Sequence, residues 1–468
     1  MTRTILLLLG LLLALPTAAD NEAKPPMDKR FDTGPFVRLS HPEWSRDAAI
    51  YQLNTRQFTP EGTFRAAQEQ LPRLRDLGVR IVWLMPVHPI GEKNRKGPLG
   101  SPYSVRDYYG VNPEFGSLED LKNFISKAHE LGLYVIIDWV ANHTAWDNPL
   151  VEQQPDWFSR NRTGQPHPPA WTDWSDVVQL DWSRPALWHY MADVMAWWVS
   201  EVGVDGFRCD VAGFVPVAFW DALRAELERI KPVFMLAEWK TPGLHARAFD
   251  ATYAWEWYET VHRIAQGEAD VSALHVYHYE EEGSWPLDAM RMLFVSNHDK
   301  NSWEGTQFEA FGDALESAIV LSVVSRGIPL IYNGQEAGNP KRLAFFDRDP
   351  IDWRTHPVED LYRRLFVLKK GNSALWNGAR GAPMEPVFSD AEDRVFSFLR
   401  DNGKDRVFGA FNLSDEAVSV QFKGRHLAGR YRDFATGGTV TLEADPGVKL
   451  APWSYRVLVG EPGQKGQE

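Results

Sequence analysis

Compact apolar blocks alternate along the chain with stretches whose apolar residues recur at helical spacing. Ile81-Val82-Trp83-Leu84-Met85 is a continuous apolar run of the kind a strand buried on both faces requires. Ser117-Leu118-Glu119-Asp120 then opens a helix in capping-box fashion. Leu118, Leu121, Phe124, Ile125, Ala128 and Leu131 share one face of it, and Gly132 stops it. The same reading predicts strands at 48–58, 81–86, 134–140, 207–211, 234–239, 251–255, 291–296 and 328–332. Helices are predicted near 66–77, 185–202, 218–230, 313–325 and 358–370, with Pro185 at a favoured first helical position. Strands alternating with helices predict an α/β fold with a parallel sheet covered on both faces, and eight strands suit a (β/α)8 TIM barrel over 46–376. An open doubly wound sheet is the alternative, but no glycine-rich phosphate turn supports it.

The pattern fails in two places. Between His143 and Asp181 there is little periodicity, but there are prolines and Trp146, Trp157, Trp171 and Trp174. This predicts an insertion, 144–181, after the third strand, either a long loop serving the strand-end face or one pinned by its own aromatic residues. Beyond 376 the runs become short and alternating, as in Arg394-Val395-Phe396-Ser397-Phe398 and Thr439-Val440-Thr441-Leu442, with a hairpin turn at Asp401-Asn402-Gly403. A C-terminal antiparallel β-sandwich domain is expected over 377–460, followed by a disordered tail at 461–468.

The start is of another kind. Arg3, an apolar run at 5–15 and the small residues of Pro16-Thr17-Ala18-Ala19 read as a signal peptide, 1–19, cleaved after Ala19. Export to the periplasm or medium is the expectation, with no transmembrane segment in the mature chain. A proline-broken linker, 20–45, leads into the barrel. Cys209 is the only cysteine, so no internal disulfide forms. Charge narrows the partners: 63 Asp+Glu against 50 Lys+Arg argues against a nucleic-acid binder. The 20 tryptophans give a weak lean towards carbohydrate, since sugar faces stack on such rings but most tryptophans fill cores.

Four acids sit in or just after predicted strands: Asp138, Asp210, Glu238 and Asp299. In a parallel barrel the strand C-termini share one face, so these side chains converge there, with His143 and His298 close by. In Phe207-Arg208-Cys209-Asp210, Arg208 and Asp210 point the same way. An arginine fixed beside a carboxylate keeps it ionised, as a nucleophile needs. For this stretch alone a structural ion pair is an equally open reading.

Taken in order, the strand ends resemble the α-amylase family of glycoside hydrolases. The matching segments are Asp138-Trp139-Val140-Ala141-Asn142-His143, Gly206-Phe207-Arg208-Cys209-Asp210, Leu236-Ala237-Glu238-Trp239 and Phe294-Val295-Ser296-Asn297-His298-Asp299. Ser101-Pro102-Tyr103 and the run from Gly327 to Glu336 resemble two further family segments. The resemblance implies a retaining hydrolase of α-glucosidic bonds in starch-like glucans or malto-oligosaccharides, working through a covalent glycosyl-enzyme. It implies Asp210 as nucleophile, Glu238 as general acid/base and Asp299 as the third carboxylate. Tyr103 is expected to stack on the sugar, His143 and His298 to bond its hydroxyls, and Arg208 to hold Asp210 ionised with Asp138 behind it. A transglycosylase, an exo-acting α-glucosidase and a non-catalytic sugar-binding barrel are the alternatives. Where many members carry a lysine and a histidine after the nucleophile, this chain has Gly213 and Phe214. The resemblance leaves calcium open as a cofactor, with Asn142 and Asp181 as candidate oxygen donors and no clear ligand set in the short insertion.

Overall fold

A computed structural model describes residues 36–423 and 427–461. The chain divides into a leading segment ending at Phe36 and a unit beginning at Val37, and the description below concerns the latter. The expected signal peptide, most of the linker and all of the expected tail except Glu461 lie outside the described residues.

Eight parallel strands close a barrel in chain order: Ile50–Leu53, Ile81–Leu84, Tyr134–Trp139, Gly206–Cys209, Phe234–Ala237, Ala251–Tyr253, Met290–Leu293 and Ile328–Tyr332. Nearly every strand residue is buried, because one face fills the barrel and the other meets the helices. This is why the strands read as apolar blocks rather than alternating ones. Register brings the charged positions together: Asp138 lies opposite Arg208, and Arg208 opposite Leu236, two residues before Glu238. The helix Leu118–Glu130 carries the expected capping box. Ser117 Oγ accepts from the Asp120 N–H at 3.2 Å, and Asp120 Oδ2 accepts from the Ser117 N–H at 2.8 Å.

Several predicted elements change shape. The first strand stops at Leu53, since Asn54 caps a helical turn, Thr55–Phe58, through its side chain. The helix expected at 66–77 is two, Phe64–Gln68 and Leu71–Leu77. The helix from Pro185 ends at Trp197 and continues as one wider turn, Trp198–Val202, closed by Gly203. Two helices follow the sixth strand without having been expected, Trp255–Ala265 and Ser272–Ser284. The second buries only Leu274 and Tyr277 fully, so its apolar period is faint. The last part of the expected loose linker is packed. Arg38 N–H bonds Ala246 O, buried His41 bonds Asp250, and Trp44 stacks on Tyr134 at 4.0 Å.

The insertion after the third strand is tied at its base by a two-stranded antiparallel ribbon, His143–Ala145 with Val177–Gln179. Behind the barrel, a six-stranded and a three-stranded antiparallel sheet share one core that includes Leu399, Phe408, Val420, Phe422 and Leu450. The hairpin at Asp401-Asn402-Gly403 joins Val395–Asp401 to Arg406–Asn412. Arg400, wholly buried, ties this sheet to the barrel through Val324 O and Ser325 O.

Candidate active site

The fourth strand ends at Cys209, so Asp210 stands just past it, at the mouth of the barrel; Glu238 has the same relation to the fifth strand. Their centre is Arg208, which is wholly buried. Its Nη1 donates to Asp138 Oδ1 at 2.9 Å and to Asp210 Oδ1 at 3.0 Å. Nη2 lies 2.9 Å from Glu238 Oε1 as an ion pair without hydrogen-bond alignment, and Nε donates to the Tyr253 hydroxyl at 3.1 Å. Glu238 Oε2 accepts from the Val211 N–H at 2.9 Å. Val211 is held at φ 36° and ψ 48°, a left-handed conformation that a β-branched residue adopts only when its surroundings impose it.

One guanidinium serves three carboxyls in a water-poor floor, and that sets the protonation states. Burial raises Glu238 to about 8 and Asp210 to about 7; Arg208 pulls both down and the neighbouring acids push them up. Burial likewise lifts Asp138 to about 6. The expected depression of Asp210 by its arginine is therefore present but outweighed by desolvation. Asp210 and Glu238 titrate as a pair, and burial raises both, so near neutral pH the two carboxyls hold one proton between them.

A second network positions the pocket wall. Gln52 Nε2 faces His298 Nδ1 at 2.6 Å, which assigns the ring proton to Nε2. That nitrogen is 2.7 Å from the Tyr103 hydroxyl, which donates to Asp138 Oδ2 at 3.1 Å. Burial lowers both His298 and His143 to about 4, so each is a neutral ring. Asp299 is the more exposed acid, its Oδ2 3.4 Å from His298 Nε2.

Tyr103, His143, Asp210, Glu238, His298 and Asp299 all line one open pocket of about 590 Å³, with Arg208 and Asp138 beneath it. Sequence reasoning missed other members of its wall: Lys96, Asp173, Asp176, Val211, Trp303 and Phe345. None has a distinctive local motif. Of the four tryptophans noted in the insertion, Trp174 reaches the pocket beside His143, Trp157 packs on Tyr190, Trp146 bonds Ser175 O and Trp171 is fully exposed.

The oxygens offered for calcium do not fit such an ion. Asn142 Oδ1 accepts from Gln179 Nε2 at 2.8 Å, and Asp181 is engaged by Ser183 and Arg184. Among the described residues no cluster of His, Cys, Asp and Glu is arranged to hold a metal. Gly213 stands where a side chain cannot: an added Cβ would lie 1.9 Å from the Trp239 ring, so the indole next to Glu238 occupies the space.

Comparison with known proteins shows the family of the chain. A family model described as alpha amylase, catalytic domain, matches residues 44–365, and one described as alpha amylase, C-terminal all-beta domain, matches residues 387–454. A noncanonic maltogenic alpha-amylase from Thermotoga neapolitana superposes with a TM-score of 0.81 and 30% identity, covering 88% of this chain and 98% of its own. An alpha-amylase from Lactobacillus plantarum gives 0.79 and 29%, over 89% and 99%. A curated alpha-amylase of Haloarcula japonica is 27% identical across 86% of this chain, which spans 62% of that relative's length.

Proposed function

The chain belongs to the α-amylase family of glycoside hydrolases, and from that premise we propose that it cleaves α-glucosidic bonds in α-glucans or malto-oligosaccharides with retention of configuration. Asp210 attacks the anomeric carbon as Glu238 gives its proton to the leaving oxygen. Glu238, now ionised, then takes a proton from water, and that water displaces Asp210. Asp299 binds hydroxyls of the distorted ring, His143 accompanies it, and Tyr103 lies against the sugar. Arg208 steadies the carboxylate that must carry charge.

The observation that carries this reading is the pair Asp210 and Glu238 on one buried guanidinium, both facing the same pocket, with burial raising the proton affinity of each. Two carboxyls in one site that hold one proton between them are what a two-step glycosyl transfer needs, one to attack and one to protonate the leaving oxygen. The test is incubation with maltoheptaose and with panose, following products by chromatography and the first-formed anomer by NMR. Release of α-anomeric sugar supports hydrolysis with retention; β-anomeric product refutes it. Oligosaccharides longer than the substrate, dominating from the start, indicate transfer to sugar instead of water. We also infer export, from the charged, apolar and small-residue order of 1–19. No helix among the described residues is long and apolar enough to cross a membrane.

A further inference from the structure

Glu238 follows the fifth strand, and in an eight-strand ring the first strand stands opposite it, flanked by the second and eighth. The general acid sits beside the leaving group, so the far wall bounds the glycone, the sugar that becomes attached to Asp210. That far wall is built by the loop at 91–100, after the second strand, and by Phe345 and Phe346, after the eighth.

This loop is fastened on both flanks. On one, Leu99 N–H bonds Phe346 O at 3.0 Å, and Gly97 (φ 63°) lies so close to Phe346 that an added Cβ would be 2.5 Å from its Cβ. On the other, Lys96 Nζ donates to Asp173 O at 2.6 Å and stands 3.8 Å from Asp176 Oδ1 and 3.9 Å from Asp173 Oδ2. Glu92 N–H bonds Asp147 Oδ2 at 2.9 Å, and Arg56 bonds Gly100 O at 3.1 Å, anchoring both ends of the loop. The barrel loops after the second, third and eighth strands are thus joined into one rim around the glycone end.

We propose that this rim closes the glycone end of the pocket, so that the enzyme works from non-reducing chain ends of malto-oligosaccharides and releases a short product of fixed length, with Lys96 as the residue that holds the rim shut. The inference rests on the hydrolase reading above and adds to it a direction of attack. A chain passing through the site in mid-length has nowhere to run beyond the rim, whereas a chain end fits. Lys96 touches no reacting atom in this account; it positions the wall.

The experiment uses the full-length enzyme with reducing-end-labelled maltoheptaose and with amylose, and compares wild type with Lys96→Met and Lys96→Arg. Wild type is expected to release one short unlabelled product from the first turnovers, and amylose to keep its iodine colour while reducing ends accumulate. Lys96→Met should raise the colour loss per reducing end several-fold and release longer unlabelled fragments. Its melting temperature should stay close to wild type, which separates an opened rim from a damaged fold. Lys96→Arg should restore the wild-type pattern. Internal cleavage by the wild type from the outset overturns the proposal and leaves the hydrolase reading intact. An unchanged pattern in Lys96→Met with a wild-type melting temperature overturns the role of Lys96. No release from any glucan or aryl glycoside removes the hydrolase reading, and the proposal with it.

Discussion

Replacing Arg208 by methionine should move the whole pH dependence of catalysis upward. The guanidinium lies 3.0 Å from Asp210 Oδ1 and 2.9 Å from Glu238 Oε1, and it lowers the pKa of both against a larger effect of burial. An arginine in contact depresses a carboxyl by about 1–3 units, so its removal returns about that much to Asp210. At roughly 1.4 kcal/mol per unit this is about 1.4–4 kcal/mol against the ionised nucleophile. Because Asp210 already sits at about 7, its ionised fraction near neutral pH should fall roughly five- to five-hundred-fold. The acid limb of kcat/KM reports the group that must be ionised and the alkaline limb the group that must be protonated, so both limbs shift to higher pH. Asp138→Asn provides the opposite sign. The Asp138 charge raises Asp210, so neutralising it should move the acid limb down. The assay is kcat/KM on an aryl α-maltoside across the pH range, with thermal unfolding alongside. Loss of the cation from a buried network costs about 3–5 kcal/mol when the remaining charges cannot adapt, but protonation of the carboxyls relieves much of that at low pH. An acid limb that stays in place in Arg208→Met, or that rises in Asp138→Asn, would refute the reasoning.

Other outcomes follow from the same geometry. With an α-glucosyl fluoride, which needs no acid, Glu238→Gln should give a burst of fluoride and Asp210→Asn none; equal bursts would mean the roles are misassigned. In a sugar complex the carboxyls of Asp210 and Glu238 should stand about 5–5.5 Å apart, and a separation of about 9 Å would point to inversion. His41, whose burial lowers it but whose bonds to Asp250 and Asp288 raise it further, ends at about 9. Its stabilising contribution is therefore full below its unfolded pKa of about 6.5 and is lost as pH rises through about 9, so the gap in melting temperature between wild type and His41→Gln should narrow over that window. Native material should begin at Asp20, and N-terminal sequencing that starts at Met1 contradicts the export reading.

The barrel was legible because each strand is a short apolar block between turn signals, and the strand-end acids were legible because a parallel barrel gathers its C-terminal ends. What escaped was whatever depends on depth or on distant loops. Ser272–Ser284 carries His, Tyr and Glu on most faces, so no apolar stripe announces it. Tyr253 looks like an ordinary barrel residue until its hydroxyl is found against Arg208 Nε. Lys96 and Asp173 are unremarkable in sequence, and their meeting depends on how an aperiodic insertion folds back. The proton affinity of Asp210 is legible only in part: the arginine two residues earlier is visible in the sequence, but the burial that opposes it is not.

The central claim is that Asp210 becomes covalently glycosylated while Glu238 handles the proton. It is tested most directly by trapping the enzyme with a 5-fluoro-α-glucosyl fluoride, which slows the release step more than the attack, and reading the intact mass and the peptide map. The account predicts one glycosyl adduct per chain, on the peptide carrying Asp210, absent from Asp210→Asn and relieved by adding maltose as acceptor. An adduct on Glu238 or Asp299, or turnover of the reagent by wild type with inversion and no adduct, would contradict it.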